Sequence, residues 1–114
     1  MNCLIVEDND EMRRFLRYLL RGVADGITEC CDGAGALAAY EQCQPDVVVM
    51  DVQMPGIDGL AATKEITDAY PQARVLILTD YTEVDMRQAA RQAGASGYLL
   101  KDNLLQLPGL IAAG

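Results

Sequence analysis

Histidine is absent from the sequence. The chain therefore supplies no imidazole for a catalytic triad, no imidazole zinc ligand and no phosphohistidine of its own. Positive charge is scarce as well. Nine lysines and arginines stand against 17 acidic residues, a net charge of −8 that repels duplex nucleic acid and argues against direct binding to it. Long apolar runs are missing: Val47 to Met50 and Val75 to Leu78 are far shorter than the ~20 residues a membrane helix needs, so no membrane segment is expected. The N-terminus passes from Met1 into Cys3-Leu4-Ile5-Val6 and an acidic cluster without a basic region or a small-residue cleavage site, and the expected location is cytoplasmic. Cys3, Cys30, Cys31 and Cys43 lack the C-x-x-C spacing of metal and redox sites, so they read as reduced small hydrophobes.

What is present suits one folded unit. A length of 114 residues with 51% apolar side chains is expected to form a single domain over 1–114, with no second domain in this chain. Met12, Phe15, Leu16, Leu19, Leu20 and Val23 follow the period of an amphipathic helix, which Asn9 or Asp10 is placed to cap. Arg13, Arg14, Arg17 and Arg21 fall on its opposite, solvated face. Five β-rich runs, Cys3–Val6, Ile27–Cys31, Val47–Met50, Val75–Leu78 and Tyr98–Leu100, alternate with helical stretches near Gly35–Cys43, Leu60–Tyr70 and Glu83–Ala93. Unbroken aliphatic runs predict strands buried on both sides, and hence a doubly wound α/β fold with a parallel sheet and helices on both faces. Pro108 lies inside the last helical stretch, Asn103–Ala113, and predicts a kink or a late start there.

In open parallel sheets the ligand crevice lies at the carboxyl ends of the strands. Strand 1 is followed by Glu7-Asp8, strand 3 by Asp51, strand 4 by Thr79 and strand 5 by Lys101, whereas strand 2 offers nothing comparable. Each has a plain structural role open to it as a cap, a turn acid or a surface group. Their conjunction at matching strand ends points instead to one site holding three acids, a hydroxyl and an ammonium. The turn Glu7-Asp8-Asn9-Asp10 has none of the glycines a nucleotide cradle needs, and no G-x-x-x-x-G-K follows any strand.

These residues sit within Leu4-Ile5-Val6-Glu7-Asp8-Asn9, Val48-Val49-Met50-Asp51-Val52-Gln53-Met54-Pro55-Gly56-Ile57-Asp58-Gly59, Leu76-Ile77-Leu78-Thr79 and Ala93-Gly94-Ala95-Ser96-Gly97-Tyr98-Leu99-Leu100-Lys101-Asp102. Together they resemble a response-regulator receiver domain of two-component systems, over essentially the whole chain, and the Gly-Tyr-Leu-Leu-Lys-Asp ending resembles receivers of the NarL/FixJ type. The resemblance implies a flavodoxin-like sheet of order 2-1-3-4-5. It implies a phosphoacceptor that promotes its own phosphotransfer and dephosphorylation, not an enzyme with a separate substrate. Asp51 would take a phosphoryl group from a histidine kinase, a histidine phosphotransfer protein or a small phosphodonor. Mg²⁺ would be held by Glu7 through water, by Asp8, by Asp51 and by the backbone carbonyl of Gln53, with Lys101 and Thr79 on phosphoryl oxygens. Thr79 and Tyr98 would form the switch, and a second copy of the chain is a further candidate partner. Transcription regulation would follow if an effector domain is attached.

Some positions depart from the family pattern. Glu7 stands where many receivers have Asp, and Asp80 where a small residue is common. Gln53 and Tyr81 occupy positions that tune phosphoryl lifetime in the family. Asp102 replaces a frequent proline and leaves the conformation of the Lys101–Asp102 bond open. Gly56 and Gly59 read as loop-shaping residues. Two rival readings are a receiver-fold interaction module that works without phosphorylation and, more remotely, a metal-dependent hydrolase using the same acids.

Overall fold

A computed structural model describes residues 1–53, 58–80 and 84–113. Five strands, β1 (Asn2–Val6), β2 (Gly26–Cys30), β3 (Val47–Asp51), β4 (Val75–Thr79) and β5 (Gly97–Leu100), alternate with helices α1 (Asp10–Leu20), α2 (Ala36–Cys43), α3 (Gly59–Ala69), α4 (Val84–Gln92) and α5 (Leu107–Ala113). All neighbouring strands pair in parallel, in the order β2-β1-β3-β4-β5. This is the doubly wound, flavodoxin-like arrangement expected. Every residue of β3 and β4 is buried, because helices cover both faces there. The edge strand β2 is only partly covered, so its sequence mixes polar and apolar residues.

The strand pleat divides the core into two layers. Leu4, Val6, Val48, Met50, Val75 and Ile77 pack with Ala36, Tyr40, Ala62, Ile66 and Ala90 of α2, α3 and α4. Their strand neighbours Cys3, Ile5, Val47, Val49, Leu76 and Leu78 pack with Leu16 and Leu20 of α1 and with Leu107 and Ile111 of α5. On either face, apolar burial at about 25 cal/mol per Å² is the main driving term.

Asn9 caps α1, its Oδ1 accepting from the Met12 N–H at 2.8 Å, and Asp10 and Glu11 complement the helix dipole in the first turn. The periodicity overstates the buried face of α1. Leu16 and Leu20 are buried, but Phe15 is 40% exposed, and the helix closes at Leu20, before Val23. Nor is the arginine stripe uniformly solvated: Arg13 is half-buried and tied to neighbouring elements. Cys31 lies beyond the end of β2 and is exposed, so the small-hydrophobe reading does not hold for it; all four cysteines are free thiols. After β5 a 3-10 helix spans Lys101–Gln106, and α5 begins only at Leu107. Pro108 then falls in the first turn, where its missing N–H costs no helix hydrogen bond, the late start the proline predicts. No peptide bond is cis among the described residues, Lys101–Asp102 included.

Candidate functional site

The carboxyl ends of β1, β3, β4 and β5 meet at one edge of the sheet. Asp51 and Thr79 close β3 and β4 as their last paired residues, not the first beyond them; Asp51 pairs with Leu78 and Thr79 with Leu100. Glu7 and Asp51 are each only 1% exposed, whereas Asp8 is exposed. One carboxylate oxygen from each of these three lies within 4.8 Å of the other two. Lys101 Nζ sits 2.8 Å from Asp51 Oδ1, and the Gln53 N–H donates to the same oxygen at 3.3 Å. An open hollow of about 510 Å³ is lined by Glu7, Asp8, Asp51, Gln53 and Lys101, with Met12 and Phe15 as an apolar wall. Thr79 is fully buried beneath the strand ends and does not line the hollow.

The electrostatics follow from burial. The Glu7 carboxyl is pushed up to about 8, chiefly by burial, then by the Asp51 carboxylate close beside it, while the Asn9 N–H pulls the other way. Burial alone would lower the Lys101 ammonium, but its bond to Asp51 and the charges of Asp51, Glu7 and Asp80 outweigh that and raise it. Glu7 Oε2 accepts from the Asn9 N–H at 3.3 Å, while its Oε1 is buried with no hydrogen-bond partner. A buried acceptor without a donor, beside two further carboxylates, is a donor set suited to a hard cation.

Local backbone chemistry brings Asp51 against α3. Asp58 caps that helix, Oδ1 accepting from the Ala61 N–H at 2.8 Å, and the Gly59 N–H donates to Val52 O at 3.0 Å. A Cβ on Gly59 would fall 2.0 Å from the Asp51 carbonyl oxygen, so only glycine permits this approach. Gly59 thus shapes the loop, as expected; Met54, Pro55, Gly56 and Tyr81 lie outside the described residues. Tyr98 stands apart from the acids, on the α4 side. It is half-buried, and its Oη accepts from Arg87 Nε at 2.9 Å beneath a guanidinium 5.5 Å from the ring centre.

Strand-end position brought forward the acids, Thr79 and Lys101, the family resemblance added Gln53 and Tyr98, and neither pointed to Arg13, Met12 and Phe15 as neighbours of the site. For Arg13 the available signal was its position six residues after Glu7, in the first turn of a helix starting at Asp10, within reach of the preceding loop.

A doubly wound parallel sheet with clustered acids at the ends of its first and third strands and a lysine after its fifth defines a class of proteins. The chain belongs to the response regulator receiver domain family, whose model matches residues 3–110. It is 37% identical over 102 residues to the Bacillus subtilis transcriptional regulatory protein YxjL, covering 88% of this chain and 47% of that one. It is 35% identical over 98 residues to the chemotaxis protein CheY of Halobacterium salinarum, covering 86% and 82%. Among solved structures, CheY4 of Vibrio cholerae superposes with a TM-score of 0.90 at 27% identity, over 98% and 96% of the two chains. A LuxR-family two-component response regulator from Aurantimonas sp. SI85-9A1 gives 0.87 at 33% identity, over 99% and 85%. The chain spans about half the length of the transcriptional regulators it matches. No helix among the described residues is long and apolar enough to cross a membrane.

Proposed function

We propose that Asp51 is the phosphoacceptor of a two-component phosphorelay. One observation carries this reading: a buried carboxylate held 2.8 Å from the Lys101 ammonium and flanked by Glu7 and Asp8. An Asp51 oxygen attacks phosphorus, the P–N bond of a donor phosphohistidine breaks, the acyl phosphate forms, and the departing imidazole takes up a proton. The histidine must come from a partner, a sensor histidine kinase or a histidine phosphotransfer protein, because this chain has none. Small phosphodonors can substitute for it. Glu7, Asp8, Asp51 and the Gln53 carbonyl are the residues that would hold Mg²⁺, which when bound offsets the mutual repulsion of the acids and phosphoryl oxygens.

Lys101 neutralises Asp51 at rest and turns to a phosphoryl oxygen after transfer. The Thr79 hydroxyl moves toward another phosphoryl oxygen, and Tyr98 reports that movement to the α4–β5 face. The same site promotes loss of the phosphoryl group to water, which returns the switch to rest. Residues 1–114 form the receiver unit, working in the cytoplasm, and transcription regulation follows where a DNA-binding domain is attached; a second copy of the chain is a candidate partner of the phosphorylated form. The test is incubation with Mg²⁺ and a small acyl phosphate, followed by intact mass. A single adduct on the wild type, lost in Asp51→Asn and without Mg²⁺, supports the reading; equal labelling of Asp51→Asn overturns it.

A further inference from the structure

Arg13 departs furthest from its expected role as part of a solvated face. From α1 it reaches back under the loop that carries Glu7 and Asp8, and its Nη1 donates to the Glu7 carbonyl oxygen at 2.7 Å. Its Nη2 pairs with Asp10, and its Nε lies 3.6 Å from Glu29 Oε1 on β2. Only 17% of the side chain is exposed. The N–H of Glu7 donates to Cys30 O of β2 at 3.0 Å. Both backbone polar groups of Glu7 are therefore held from outside the loop, the N–H by β2 and the carbonyl by α1. The bond to Cys30 O holds the Val6–Glu7 peptide and the bond from Arg13 holds the Glu7–Asp8 peptide, so the planes on either side of the Glu7 Cα are both set, and with them the direction in which the carboxylates leave the chain.

We propose that Arg13 is a positioning residue for the cation site: its grip on the Glu7 carbonyl orients the Glu7–Asp8 peptide so that both carboxylates converge with Asp51 on one divalent cation. This rests on the phosphoacceptor reading and deepens it. The role is geometric. The guanidinium donates to the Glu7 carbonyl and to Asp10 from its two terminal nitrogens while its Nε faces Glu29 at ion-pair distance, a planar fork that a lysine ammonium cannot reproduce. Its charge is already matched locally by Asp10 and Glu29, so little of it is left to act on the cation. Glu7 carries the buried acceptor without a donor, and the peptide Arg13 grips is the one that aims it.

The test uses Mg²⁺ alone, titrated calorimetrically into the wild type, Arg13→Ala, Arg13→Lys and Glu29→Gln. Labelling by a small acyl phosphate is then followed as a function of Mg²⁺ concentration. Both Arg13 variants are expected to lose about tenfold in Mg²⁺ affinity, the scale found for groups that orient metal ligands. The half-saturating Mg²⁺ for labelling rises by the same factor, while the rate at saturating Mg²⁺ stays within about twofold of wild type. Glu29→Gln, which leaves the bond to Glu7 in place, shifts affinity by less than about threefold on the same scale. Wild-type affinity in Arg13→Lys overturns the geometric role, and a reduced saturating rate with unchanged half-saturating Mg²⁺ overturns positioning altogether. Circular dichroism accompanies each variant, and Arg13→Lys, which keeps stem and charge, decides the matter if Arg13→Ala does not fold. A wild type that binds Mg²⁺ but accepts no phosphoryl group sinks the phosphoacceptor reading and leaves the titration to judge Arg13; a wild type that binds no Mg²⁺ overturns both.

Discussion

Glu7→Gln should make the metal-free protein more stable at alkaline pH, although it removes a residue of the site. Glu7 is 1% exposed, its Oε1 has no hydrogen-bond donor, and its carboxyl titrates near 8 against an ordinary value of 4.5. Below pH 4.5 the carboxyl is neutral in the folded and unfolded chains alike and contributes no difference. Between 4.5 and about 8 the unfolded chain ionises while the folded one retains its proton, so stability falls as pH rises. Above 8 the full penalty is present. At about 1.4 kcal/mol per pH unit of displacement its ceiling is about 5 kcal/mol, and relaxation around a buried carboxylate reduces that to about 2–3 kcal/mol. Glutamine mimics the neutral acid and avoids the penalty. Urea midpoints in EDTA should therefore nearly coincide at pH 5 and favour Glu7→Gln at pH 8.5. At pH 8.5, Mg²⁺ at a hundred times the dissociation constant should close most of that gap, because only the wild type offers the third carboxylate and the gain is about 2.7 kcal/mol. Parallel pH profiles for the two proteins in EDTA would falsify the reasoning.

Three further substitutions probe other parts of the structure. Gly59→Ala places a Cβ 2.0 Å from the Asp51 carbonyl oxygen, so β3 and α3 must separate by about 1 Å; a loss of about 3 kcal/mol in urea unfolding is expected, and an unchanged midpoint would contradict the packing. Arg87→Ala removes the 2.9 Å bond to Tyr98 Oη and the guanidinium over its ring, worth about 1 kcal/mol at a partly exposed site. The ¹⁹F resonance of fluorotyrosine at position 98 should shift and broaden in the unphosphorylated protein, and an unaltered signal would show that Arg87 does not hold the ring. Arg74→Ala deletes donors to Leu110 O at 2.8 Å and Ile111 O at 3.1 Å, two carbonyls in the last turn of α5; a loss of about 1–2 kcal/mol with faster amide exchange confined to α5 is expected, and uniform exchange changes would refute a local cap.

The sheet was legible because its central strands are buried on both faces, which forces aliphatic runs such as Val47–Met50 that no amphipathic helix produces. The site was legible because a parallel sheet delivers whatever follows each strand to one edge, so Glu7, Asp8, Asp51, Thr79 and Lys101 are neighbours by topology alone. Width and grip were not. Periodicity finds the apolar stripe of α1 without saying where coverage ends, and Phe15 stands at the mouth of the hollow instead of in the core. Arg13 belongs to the polar face by spacing, yet its long side chain folds back to a backbone carbonyl, an acceptor that sequence patterning does not display. The partnerless Oε1 of Glu7 depends on three-dimensional packing in the same way.

The pleat that divides the core in two also sorts the site. Glu7 and Asp51 continue the alternation of Cys3 and Ile5 and of Val47 and Val49, the residues facing α1 and α5, and Lys101 follows Leu99 in the same sense. Thr79 continues the opposite alternation, that of Val75 and Ile77, and Tyr98 packs with that layer. The sheet is thus a partition one peptide thick, with the acids phased to one side and the proposed switch pair, Thr79 and Tyr98, to the other. A donor approaching past α1 and a recipient docking at α4 would not compete for surface, and a one-residue register slip in β4 would cut the connection while leaving every acid in place.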